Sequence, residues 1–182
     1  MAKVISYREF ASANMLHKTR IIIDPNSPSS DEVRYKDLAT VQELTADMPG
    51  CIATIDTEGN VCVGFQNHRD RARFDEAYFG DTTGRHTHTI RLAPEHDNNE
   101  FRDSLVAVIQ DTLGCAKVPY EFIITNTKCL GIAFGASATY RKFEELAHSG
   151  SITAEALRRI QQPGSRRRLV DLNSGCAVSV AG

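Results

Sequence analysis

Apolar residues fall at helical spacing most clearly in one stretch, where Phe101, Leu105, Val108, Ile109 and Leu113 recur at three- and four-residue intervals until Gly114. That period turns one face of an α-helix toward a core. Asp97 and Glu100 precede the run with the spacing of a helix cap and its partner at the third helical position. Ser30 opens a second expected helix through Val33, Leu38, Val41 and Leu44, which Pro49-Gly50 stops. Ser6 and Glu9 have the same capping spacing and predict a short helix over about Tyr7 to Leu16. Two further helices are expected after Ser137 (Tyr140, Phe143, Leu146) and after Thr153 (Leu157, Ile160), the last ending at Pro163-Gly164.

Between these lie runs with strand character. Arg20 to Ile23 reads as a buried strand. Cys51 to Asp56 and Val61 to Phe65 flank the turn Thr57-Glu58-Gly59-Asn60 and read as a hairpin. Tyr120 to Thr125 and Cys129 to Phe134 flank Asn126-Thr127-Lys128 and read as a second. His86 to Leu92 alternates, with His86, His88, Ile90 and Leu92 on one face. Cys176 to Val180 has the composition of an edge strand, whereas Gln66 to Gly84 is polar enough to read as a long loop holding a helical turn. Hairpins rather than βαβ crossovers predict an α+β fold: a single domain over residues 1–182, a mostly antiparallel sheet built from two hairpins, and about four to five helices.

Composition changes this picture little. The chain has 41% hydrophobic and 24% charged residues, which excludes a disordered chain. No window approaches the ~18 apolar residues of a membrane span, so no membrane partner is expected. Charge precedes any apolar stretch of signal-peptide length at the start, and the five cysteines include no Cys-x-x-Cys pair. Both point to a cytoplasmic protein with reduced thiols. The net charge of −2 conceals one lopsided segment: residues 156–182 carry Arg158, Arg159, Arg166, Arg167 and Arg168 against Asp171 alone. Such a run can meet phosphates, including those of nucleic acid, or an acidic partner surface, although aromatic residues for base stacking are missing from it.

Two sites of chemistry are worth weighing. His86-x-His88 places two imidazoles on one side of a strand, and His96 and Asp97 follow after Pro94. Folded back together, the four can hold zinc or a similar divalent ion, with Glu95 as general base for a metal-bound water. Gly135-Ala136-Ser137-Ala138 lies between an apolar strand and a helix, like a nucleophile elbow without its final glycine. There Ser137 reads more simply as a helix cap whose neighbouring N–H groups can bind an anion.

Two functions compete. The favoured expectation is a noncatalytic binding or assembly subunit, of the kind found in phage or other multi-subunit particles. It would use hairpin surfaces and the arginine-rich tail against a protein partner or further copies of itself. The alternative is a metal-dependent hydrolase built on His86, His88, His96 and Asp97, and only that alternative names a cofactor.

Overall fold

Ile21, Ile22 and Ile23 are all buried although consecutive strand residues point to opposite faces. The strand they belong to, β2 (His17–Ile23), is therefore covered on both sides. It is also the hinge of the sheet, because it pairs antiparallel with both expected hairpins. One is β3 (Ile52–Ile55) and β4 (Val61–Phe65), the other β6 (Phe122–Thr125) and β7 (Cys129–Phe134). β5 (His86–Arg91) adds to β7 at one edge, and the two-residue β1 (Lys3–Val4) pairs parallel with β3 at the other. The order across the seven strands is β1-β3-β4-β2-β6-β7-β5. The computed structural model describes residues 1–27, 30–80, 85–126, 128–147 and 151–161, with a separate antiparallel pair, β8 (Leu169–Val170) and β9 (Ala177–Val178).

Helices complete three layers. Ile21, Ile23, Phe122, Ile124 and Ala133 face a core closed by α2 (Ser30–Leu44) and α3 (His68–Gly80). Ile22, Ile123, Leu130, Ile132 and Phe134 face a second core under α4 (Asn99–Cys115), α5 (Ser137–Ala147) and α6 (Ser151–Gln161). The short α1 (Tyr7–Ser12) packs against β3 and carries the full Ser6/Glu9 capping box. Six α-helices thus surround an α+β sheet among the described residues.

Three elements differ from the pattern reading. Residues 68–80 form a helix rather than a loop, begun by Asn67, whose Oδ1 accepts the Asp70 N–H at 2.8 Å. Its buried face mixes Phe74 and Tyr78 with Asp70, Arg71 and Asp75, so the apolar period is interrupted by charge. α4 is capped by Asn98, whose side chain accepts the Phe101 N–H, and not by Asp97. Of the expected strand at Cys176 to Val180, Ala177–Val178 pairs with Leu169–Val170 instead of joining the main sheet. The other three of those residues lie outside the described residues.

Arg85 ties the β5 edge to the body. Its Nε lies 2.7 Å from Glu121 Oε2 and its Nη2 3.3 Å from the fully buried Asp37 Oδ1. The guanidinium also sits over the Phe122 ring, 4.7 Å from its centroid. Burial, the main influence on Asp37, holds its carboxyl above the usual range despite Arg85.

Candidate functional site

The β5 register separates the two halves of the expected metal set. His86 stands opposite Phe134 at one end of the strand, and Arg91 opposite Cys129 at the other. At about 3.3 Å per residue, His88 alone is about 10 Å from Arg91, and His96 and Asp97 lie beyond it. Metal ligands sit about 2 Å from a shared ion. His86 and His88 turn instead toward α5: the Tyr140 ring centroid is 5.8 Å from that of His86 and 6.4 Å from that of His88, and Phe143 meets His88 edge-on. His96 packs on Phe101, with centroids 5.1 Å apart. Asp97 pairs with Arg102 and accepts the Lys128 N–H at 3.1 Å. Burial opposes ionisation of Asp97, yet these donors outweigh it and hold the carboxyl below its ordinary range. Glu95 is exposed in the 3-10 turn Pro94–His96. Among the described residues, no group of three His, Cys, Asp or Glu side chains is arranged to hold a metal ion.

The carboxylate that does approach the histidine pair is Glu144, a residue the spacing argument could not reach because it arrives from a helix over fifty positions away. Glu144 Oε1 accepts the Tyr140 hydroxyl at 2.7 Å and lies 3.9 Å from His88 Nδ1. Burial pushes the His88 imidazole down toward its neutral form, against the pull of Glu144. The hydrogen bond to Glu144 raises the Tyr140 phenol. This arrangement fastens edge strand β5 to α5.

The anion candidates are similarly engaged. α5 begins at Ser137 itself, so Ala136 stands at the cap position, where its carbonyl accepts the Tyr140 N–H and the Thr139 hydroxyl. Arg158 and Arg159 both hold Glu155, and Arg159 Nη1 reaches Asp111 Oδ2 at 2.7 Å. Donation from Arg158 leads the effects that keep the Glu155 carboxyl low. Arg166, Arg167 and Arg168 lie outside the described residues.

Two grooves among the described residues lie elsewhere, along α4. A groove of about 540 Å³ runs between β2, the β3–β4 turn and α4, lined by Arg20, Ile22, Glu58, Asp103, Ala107 and Gln110 among others. A second, of about 630 Å³, continues from Pro25 and Gln110 past Asp24 to Lys117 and Tyr120. Asp103, Val106, Ala107 and Gln110 lie at positions i, i+3, i+4 and i+7, so one flank of α4 forms the wall. That mixed flank was the available signal, overshadowed by the stronger apolar face beside it. The groove's polar groups are tied to one another: Arg20 pairs with Asp56 at 3.2 Å and with Glu58. Burial works against the Arg20 charge, but the two carboxylates outweigh it and raise its pKa. Asn60 donates to Asp56 at 3.2 Å, and Gln110 to the Tyr120 hydroxyl at 3.0 Å. Such a surface offers fixed charge, amides and a strip of apolar floor.

No helix among the described residues is long and apolar enough to cross a membrane. Comparison with protein-family models and with curated proteins finds no match for this chain.

Proposed function

We propose that the protein is a noncatalytic binding or assembly subunit whose recognition surface is the groove along α4. The observation that carries this reading is the groove's lining: a hairpin turn and one helix flank, with charges preset by Arg20–Asp56 and Arg20–Glu58 pairing around Ile22 and the exposed Ala107. Preset charge over an apolar floor suits an extended protein segment, since it orients a partner while apolar contact supplies affinity. The partner is another protein or a further copy of the chain, with the arginine-rich tail as a second contact. By contrast, His96, Asp97, Arg158 and Arg159 already have packing or ion-pairing roles, and Glu144 rather than Asp97 is the acid beside His88.

Light scattering across a concentration series tests the reading. The expected result is a concentration-dependent rise in mass that Ala107→Trp, which fills the groove from an exposed position, abolishes while the thermal melt stays within a few degrees. A strict monomer at high concentration, with or without nucleic acid, removes a further copy of the chain as the partner and counts against the reading.

A further inference from the structure

Two histidine rings meet at the end of the sheet opposite Arg85. His17 opens β2 and is half-buried, while His68 opens α3 and is exposed. Their ring centroids lie 5.7 Å apart, with the ring planes at 85° to one another. Packed elements set this separation. Asn67 caps α3 through the Asp70 N–H at 2.8 Å. The Thr19 hydroxyl, two residues after His17, donates at 2.8 Å to Asp75, seven residues after His68. Phe65, the register partner of His17, packs on Phe74 of α3 with centroids 5.3 Å apart. Strand and helix are thus locked together on either side of the histidine pair, the condition under which a two-element site is held in one geometry.

The separation matches a shared ion. A zinc-type ion bonded at about 2 Å to one nitrogen of each ring stands about 3.2 Å from each centroid, which puts the centroids about 5.2 Å apart at a tetrahedral angle and about 5.5 Å at a trigonal one. The observed 5.7 Å is within about half an ångström of both. Rotation of an imidazole about its last side-chain bond is broad, so the nitrogens can turn toward a common point without moving the backbone. They are also available: neither ring makes a hydrogen bond or ion pair among the described residues. The histidines of β5 differ in this respect, since His88 faces Glu144 and both rings pack on Tyr140.

We propose that His17 and His68 form a binding site for one divalent transition-metal ion of the zinc, nickel or copper kind, held by one nitrogen of each imidazole. Neutral imidazole suits these ions. Among the described residues no third His, Cys, Asp or Glu joins the pair, so water completes the coordination sphere and the ion stays open to exchange. One ligand belongs to β2 and the other to α3. The ion therefore binds the folded arrangement in preference to the unfolded chain and stabilises the contact between strand and helix. The pair stands apart from the lining of the groove along α4, so this site and the groove's recognition role stand or fall separately.

The test uses the full chain without a His tag, stripped with chelator and titrated calorimetrically with zinc chloride at pH 7.5. The expected result is one ion per chain, with His17→Ala and His68→Ala each weakening the binding at least tenfold, the loss of one of two ligands. Zinc should raise the thermal midpoint of the unaltered chain by several degrees and leave that of either variant unmoved. Copper(II) at one equivalent adds a readout of ligand type: its electron paramagnetic resonance spectrum should show two coupled imidazole nitrogens in the unaltered chain and one in each variant. Should His17→Ala fail to fold by circular dichroism, His17→Gln keeps a polar side chain of similar size, and the exposed His68→Ala gives the comparison from the helix side. His86→Ala should leave the zinc affinity unchanged. Absence of zinc binding, binding that survives either His17→Ala or His68→Ala at full strength, or binding that His86→Ala removes overturns the proposal.

Discussion

Asp97 and Lys128 lie thirty-one positions apart, and the carboxylate of the first accepts the backbone N–H of the second at 3.1 Å. The contact pins the turn after β5 to the turn between β6 and β7, where Lys128 adopts a left-handed conformation with φ 73°. Because Arg102 also binds this carboxylate, Asp97→Ala leaves a guanidinium and an amide without their partner. The expected cost is about 1–3 kcal/mol in urea denaturation. The cost should be equal with and without chelator, since the role is structural. Lys128→Gly should raise stability by up to about 1 kcal/mol by relieving the left-handed strain. An unaltered midpoint for Asp97→Ala would remove the pin from the account.

Gly131 and Phe79 make a second sharp dependence. A Cβ at Gly131 would overlap the Phe79 ring, which α3 lays over β7 at that point. Gly131→Ala is therefore expected to destabilise by about 1–3 kcal/mol through overpacking. Phe79→Ala should make the same substitution nearly neutral, a coupling that a double-mutant cycle reads directly. Additive effects of the two changes would contradict the contact.

The contrast between α4 and α3 explains how much of the fold was legible. α4 buries Phe101, Leu105, Val108, Ile109 and Leu113 without a charged interruption, so its period was plain. α3 buries Arg71 and Asp75 beside Phe74 and Tyr78, and charge at inward positions erases the apolar period by which a helix is recognised. Both hairpins declared themselves through their turn residues, including Gly59 with φ 85°. Their joining across β2 did not, because strand order depends on contacts remote in sequence. The same limit applied to chemistry. Spacing could suggest that His96 and Asp97 return to His88, but only the β5 register sets them beyond the far end of the strand and brings Glu144 across from α5. Asn98 as the cap of α4, one residue after Asp97, is a difference within the usual uncertainty of a helix end.

Cysteine chemistry should separate by burial. Cys51 and Cys62 are desolvated, which pushes their thiols up to about 11 and about 12, and nearby Asp70 and Asp56 add to the effect. Burial is also the leading cause of the upward shift of Cys129, whose Sγ donates to Asn126 Oδ1 at 2.9 Å. Cys115, at the end of α4, is exposed. Because the thiolate is the reacting form, iodoacetamide at pH 8 should label Cys115 first among these four, with the others reacting only in denaturant. Early labelling of Cys51 or Cys62 in native protein would contradict their burial.

Asp75 gives the fold a pH dependence of unusual sign. Its carboxyl is buried on α3, accepts the Thr19 hydroxyl at 2.8 Å and has Arg71 Nε 3.7 Å away. Burial outweighs both and pushes it up to about 6. An unfolded aspartate titrates near 3.9. Between about pH 4 and pH 6 the folded protein therefore keeps a proton that the unfolded chain has released, and stability falls as pH rises through that window. The contribution is fully present below about pH 4 and lost above about pH 6. Its size is on the order of 3 kcal/mol for a shift of this extent. Asp97 and Glu155 have lowered carboxyls, so their contributions have the opposite sign and change mainly below this window. Asp75→Asn keeps the shape of the protonated acid without titrating. Urea denaturation from pH 4 to pH 7 should show the difference in stability, variant minus wild type, rising with pH. Parallel curves across the window would mean that Asp75 is ionised in the folded protein throughout, with Arg71 compensating for its burial.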